Sequence, residues 1–207
     1  MRRLQVTTTA NELRAKIIFE AQEVIDDILR KNASAISRKC GIIISRRLTD
    51  SKTFASLLYG QLKLDFGLTN EEADKGTKLI LASVRDSTKV KLIKTKQGNA
   101  FAISINITPN LPELSQISYT NDGKNGGEIT WLMWLLTKGV EIVVPDFRIK
   151  YGDSKKFENS RSGGALMFPK GFFRVDPDFA GTVDSNFITD VIQESFPEIV
   201  GIIRTYL

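Results

Sequence analysis

From Ile17 to Leu48 the apolar residues Ile17/Ile18, Ala21, Val24/Ile25, Ile28/Leu29, Ile36, Cys40, Ile43/Ile44 and Leu48 recur at alternating steps of three and four. That is the period of an α-helix. Capped at Asn11 or a nearby threonine and continued to about Leu48, it would be a rod of roughly 55 Å at 1.5 Å per residue. A rod of that length outreaches a domain built from 207 residues. Part of it must therefore pack on another chain or on later helices of its own. Asn32 and Ser34 are where the pattern is most open to a break.

The segments that follow stay helical as far as residue 86. "KTFASLLYGQLKLDFGL" carries Phe54, Leu57/Leu58, Leu62 and Leu64 and predicts a second helix closing near Gly67. Thr69 and Glu72 stand at capping-box spacing and predict a third from about Asn70 to Arg85. The character then changes. "TKVKLIKTKQGNAFAISINITP" alternates β-branched and polar residues on both sides of "QGN", a hairpin signal. "EITWLMWLLTKG" predicts a short apolar helix ending at Gly139, with Trp131 and Trp134 in the core. "VEIVVPDFRIKYG" predicts a strand broken by Pro145, and "GDSKKFENSRSGG" a polar loop. "ALMFPKGFFRVD" predicts two short strands around a Pro-Lys-Gly turn. A last helix, capped by Asp184 or Ser185, should be kinked or divided by Pro197. The expected fold is α+β: a long N-terminal helix in a helical region (about 10–86), then a small antiparallel sheet with hairpins and a C-terminal helix packed on it (about 87–207), all in one domain.

Composition narrows the chemistry. The chain has no histidine, which removes the commonest general base at neutral pH and the most frequent zinc ligand. Cys40 is the one cysteine, so neither an intrachain disulfide nor a four-thiolate metal site can form, and an inert buried thiol is the default for it. Apolar residues are 42 % and charged ones 26 %, as in ordinary globular proteins. No run of eighteen apolar residues occurs, and neither a signal peptide nor a membrane span is expected. Carboxylate and lysine chemistry stays open.

The remaining candidates each have a plainer counterpart. "GKNGG" and "SGG" lack both the Walker lysine spacing and the context of a dinucleotide fingerprint, and read as loop glycines. Asp26 and Asp27, adjacent on a helix, cannot face one ligand. Asp176 and Asp178 flank Pro177 and share a side, a weak metal pair beside the simpler reading of a solvated turn. Arg85, Lys89, Lys91, Lys94 and Lys96 gather positive charge around the first hairpin strand. Arg38, Lys39, Arg46 and Arg47 do so at the end of the first helix. Both clusters can meet phosphate, yet no aromatic is interleaved to stack bases, so sequence-specific reading is not expected.

Charge is also unevenly spread. Residues 1–52 hold eleven Lys/Arg against six Asp/Glu, whereas residues 175–203 hold six acids and no base. Such a chain can dock head to tail on its own copies through a heterologous contact. Alternatively, the two ends neutralise each other within one chain.

"SRSGGALMFPKGFFRVDPDFAGT" combines turn-formers with exposed-looking aromatics. Taken with the apolar helix Trp131 to Gly139, the "GGALM" strand, "FRV", "PDFAGT" and the "DSNFI" that opens the last helix, it resembles minor virion proteins of tailed bacteriophages of the tail-completion or neck class. The resemblance covers roughly the C-terminal 80 residues and rests on a degenerate pattern. It implies a non-enzymatic protein without cofactors, made in the host cytoplasm and built into the virion at the head-tail junction. There a ring of about six or twelve copies would join connector and tail proteins around the DNA channel. Aromatics on extended, glycine-rich segments suit anchoring in a neighbour's pocket, which makes Met167, Phe168, Phe172, Phe173 and Phe179 the expected interface residues, with Arg174, Asp176 and Asp178 setting register. Of Phe172 and Phe173, one should face the core if they alternate across a strand. Two other readings remain: a DNA-binding accessory protein using the basic hairpin, and a histidine-free carboxylate enzyme.

Overall fold

The computed structural model describes residues 9–94, 101–107, 119–120, 128–139 and 141–207. It is mostly helical, with a long N-terminal helix, two-stranded antiparallel ladders and C-terminal helices packed on the first helix.

Helix α1 runs unbroken over Ala10–Thr49, 40 residues and about 60 Å. Thr9 caps it in a reciprocal box with Glu12. The expected break at Asn32 is absent because its side-chain amide donates to the Ile28 carbonyl at 2.9 Å, inside the helical ladder. Pairs four residues apart, Asp26 with Arg30 and Asp27 with Lys31, brace the same stretch.

The part of α1 that enters the core begins at Leu29. Ile36, Cys40, Ile44 and Leu48 follow one another at steps of four and are fully buried. Against them pack α2 (Lys52–Tyr59), α3 (Gln61–Asp65) and α4 (Asn70–Ser87). The single helix expected over 52–67 is two helices. Gly60 turns the chain out between them, where a Cβ would stand 2.8 Å from the Ser56 Cα, and Ser56 Oγ accepts the Leu62 amide at 3.0 Å. Gly67, at φ 66°, reverses the chain after α3. α4 opens with the Thr69–Glu72 box expected from sequence and returns along α1. Its end crosses Gly41, where a methyl group would meet the Arg85 Cα at 3.3 Å.

From α4 the chain passes into β1 (Thr88–Lys94), which pairs antiparallel with β2 (Phe101–Ile107) and lies along α1. The expected "QGN" turn falls outside the described residues. A short ladder of β3 (Tyr119–Thr120) and β4 (Glu128–Ile129) precedes α5 (Trp131–Thr137). Trp131, Leu132, Leu135 and Leu136 of α5 are buried in the cluster that α1 begins, whereas Trp134 is half-buried beneath the Lys138 ammonium. Gly139 closes this segment at φ 57°.

β5 (Ile142–Tyr151) and β6 (Ala165–Arg174) form a two-stranded ribbon. The two strands expected around Pro-Lys-Gly are one: Phe147 faces Pro169 and Pro145 faces Phe172, so Lys170 and Gly171 form a bulge, at φ 68° and 150°. Both strands are edges, so both prolines are tolerated. The loop joining them carries one helical turn, α6 (Lys155–Glu158), where only polar loop was expected.

The C-terminal helix is divided as Pro197 requires, into α7 (Phe187–Glu194) and α8 (Phe196–Arg204). The cap is Asn186 rather than Asp184 or Ser185. Its carboxamide accepts the Ile188 and Thr189 amides at 3.1 and 3.2 Å, and Thr189 answers its own amide at 2.8 Å. Gly181 wedges between this cap and α5: a Cβ there would stand 2.5 Å from that of Asn186 and 3.0 Å from the Leu135 carbonyl oxygen. α8 is tied to α1 by Glu198, which accepts from Arg46 at 2.7 Å and from the Arg47 Nε at 2.9 Å. The basic and acidic ends of the sequence are thus joined here within one chain.

Candidate functional site

The residues singled out in sequence gather on the ribbon and on the turn after it. Along β5 and β6 the pairs Phe147–Pro169, Ile149–Met167 and Tyr151–Ala165 put six mostly apolar residues on one face, because directly opposed residues point the same way. Arg148 and Lys150, opposite Phe168 and Leu166, occupy the other. The apolar face is used unequally. Near Tyr151 it packs on α3, with Ala165 buried. Toward the bulge it opens to solvent, where Phe147 and Met167 (49 % exposed) stand uncovered; Phe172 (55 % exposed) lies past the bulge, beside the inward-facing Phe173.

Three contacts hold the ribbon on the helices. The Tyr151 hydroxyl donates to the Asp65 carboxylate of α3. The Arg161 guanidinium bonds the Gly67 carbonyl at 3.0 Å and pairs with Glu72. Phe173 inserts edge-on against Phe66, centroids 6.3 Å apart, and Phe66 in turn meets Trp131 at 5.8 Å. The ribbon is therefore a fixed projection of the core.

Beside Tyr151 lies a cleft of about 240 Å³ whose lining includes Gln61, Asp65, Arg148, Tyr151, Arg174 and Asp176. Asp65 is 4 % exposed. Burial pushes its carboxyl from an ordinary 3.8 to about 6, the Tyr151 hydrogen bond opposing and the Asp176 charge assisting. Burial, the hydrogen bond with Asp65 and the charge of Asp65 hold the Tyr151 hydroxyl well above its usual range.

The expected interface residues separate by environment. Met167 and Phe172 are exposed, Phe172 with the Arg174 guanidinium 5.9 Å from its ring. Phe168 is half-buried against Phe157 and lies under Lys150 and Lys156, each 5.2 Å from its centroid. Phe173 is core, and Phe179 packs against the core. Asp176 and Asp178 make a turn: the Asp176 carboxylate accepts the Asp178 amide at 3.0 Å, and its carbonyl accepts those of Phe179 and Ala180. No group of three or more Asp, Glu, Cys or His among the described residues is placed to hold a metal ion.

Of the basic residues, Arg85 donates to Ser45 at 3.0 Å and lines a cleft of about 680 Å³ with Arg38, Ile42 and Asp86. Lys89 is exposed at the start of β1. Lys91 and Lys94 hold register opposite Ser104 and Phe101, and Lys96 lies outside the described residues.

A second apolar surface carries no sequence motif. On α1, Leu13, Ile17 (58 % exposed), Val24 (60 %), Ile28, Ala35 and Ile42 fall within a sector of about 60°. Leu13, Ile17, Val24 and Ile42 are each more than half exposed. Periodicity had marked several of these positions as helical but could not tell a covered stripe from an open one.

No family model, curated protein or solved structure matches the chain.

Two predictions follow the geometry. Phe173→Ala should cost about 3–5 kcal/mol and Phe172→Ala less than about 1 kcal/mol in urea unfolding, since only the first empties the core. Equal losses would contradict the placement. Because Asp65 binds its proton more tightly folded than unfolded, wild-type stability is full below about pH 4 and declines as pH rises to about 6. Asp65→Asn removes that loss and should stabilise by ~2 kcal/mol above about pH 7, with the difference vanishing in acid. A pH-independent difference would refute the burial argument.

Proposed function

We propose that this chain is a non-enzymatic structural protein of a tailed-phage virion, forming a ring at the head-tail junction that joins connector to tail around the DNA channel. The observation that carries the reading is the pair of exposed apolar surfaces, one on the N-terminal half of α1 and one on the ribbon. From Val24 to the end of α1 at Thr49 is about 37 Å of helix, and the ribbon is fixed on α3 and the start of α4. Two separate surfaces on one subunit suit heterologous contacts, and such contacts close into a ring when the rotation permits.

The resemblance in the C-terminal part supports the same reading. Its "FAGT" and "DSNFI" elements fall where the backbone is most tightly constrained, at Gly181 and at the Asn186 cap. Those elements fix the scaffold from which the ribbon projects.

DNA contact has one observation of its own, the cleft that Arg38 and Arg85 share beside the start of β1. It favours a sequence-independent contact with phosphate, in the channel or as the activity of an accessory protein. Binding that weakens steeply with salt would be its mark.

The test is electron microscopy of particles from a genome carrying a stop codon early in this gene. Filled heads beside detached, finished tails are expected. Intact infectious particles would remove the virion reading.

A further inference from the structure

We propose that the occupant of the exposed α1 stripe is the β5–β6 ribbon of a second copy of this chain. The inference rests on the ring reading and specifies its contact. Within one chain α1 and the ribbon are not packed on each other. Between copies their surfaces are complementary in polarity and charge.

Leu13, Ile17 and Val24 span eleven residues, about 17 Å of helix, within the reach of a ten-residue ribbon of about 33 Å. On the ribbon side, Met167 and Ile149 border a groove of about 200 Å³ closed by Leu64, open to an aliphatic side chain such as that of Ile17. Phe147 lies on the same face of the ribbon as Ile149 and Met167, and Phe172 is exposed past the bulge.

Charge gives the pairing its direction. Residues 10–31 of α1 carry five acids and four bases, a balance of −1, with Asp26 and Asp27 paired to Arg30 and Lys31, and Glu20 follows one edge of the stripe. Residues 142–174 carry seven bases and three acids, a balance of +4, with Arg148, Lys170 and Arg174 exposed around Phe172. The rest of α1, residues 32–49, carries four bases and no acid, of which Arg46 and Arg47 are paired with Glu198. A basic ribbon is therefore drawn to the N-terminal half of the stripe and repelled from the rest. The contact is heterologous: each copy offers its helix to one neighbour and its ribbon to the other.

Two variants and their mixture test it by sedimentation velocity. Ile17→Gln with Val24→Gln removes the helix surface, and Met167→Thr with Phe172→Thr the ribbon surface. All four positions are about half exposed or more, and thermal unfolding checks that both variants fold. Wild type should associate at high micromolar concentration and each variant should be monomeric. An equal mixture should form a one-to-one dimer and nothing larger, since each variant retains the half the other lacks.

Monomeric wild type at about 10⁻⁴ M would overturn the proposal. So would self-association of the ribbon variant, which would mean helix meeting helix, or of the helix variant, which would mean ribbon meeting ribbon. A charge exchange gives an independent reading. Glu20→Lys should weaken association about tenfold, and Arg174→Glu on the partner copy should restore it; failure of that rescue counts against the contact. Self-association without a head-tail phenotype would keep this contact and remove the virion reading. The phenotype with a strictly monomeric protein would do the reverse.

Discussion

Burial of the second half of α1 is the interaction on which everything else in the molecule is built. Ile36, Cys40, Ile44 and Leu48 are sealed from solvent, each contributing on the order of 1.5–3 kcal/mol by area. The elements that cover them arrive from both directions of the chain: α2 and α4 follow at once, whereas α7 and α8 return from the far end. Gly41 lets α4 approach closely enough to complete the seal. Phe66 then links this core to Trp131 and to Phe173, so the ribbon inherits its position from the same packing.

A helix clamped over half its length must extend its other half wherever the clamp directs it. The start of α1 is held by the Thr9–Glu12 capping box, ion pairs brace it farther on at Asp26–Arg30 and Asp27–Lys31, and Leu13, Ile17 and Val24 face water on this stretch. The ribbon is similar. Its Tyr151 end is fixed by Asp65 and Arg161, while Met167 and Phe172 stand clear. Apolar side chains at two such places are the physical basis of the assembly function proposed for this chain.

Much of the helical framework was legible because its signals are local. Spacings of three and four marked α1, Thr69 with Glu72 marked the start of α4, and Pro197 marked the division of the last helix. Signals that depend on distant partners were not legible. Nothing near Asp65 in sequence announces a tyrosine 86 residues away as its hydrogen-bond partner. Pro-Lys-Gly has the composition of a hairpin turn, and only pairing with β5 on both sides makes it a bulge. "DSN" offers three cap residues, and the closeness of Gly181 to Asn186 accompanies the choice of the third. Of Phe172 and Phe173, both expected at the interface, strand alternation leaves Phe172 outward and turns Phe173 into the core. Which half of α1 lay open could not be read, because the periodic pattern runs through both.

Hydrogen exchange followed by mass spectrometry, on monomer and on assembled protein, tests most directly whether the two exposed surfaces are the working surfaces. In the monomer, residues 29–48 should exchange slowly and residues 10–28 faster, and on assembly the N-terminal half of α1 and the ribbon around Met167 and Phe172 should gain protection together. Protection gained by only one of the two, or by neither, would contradict the account.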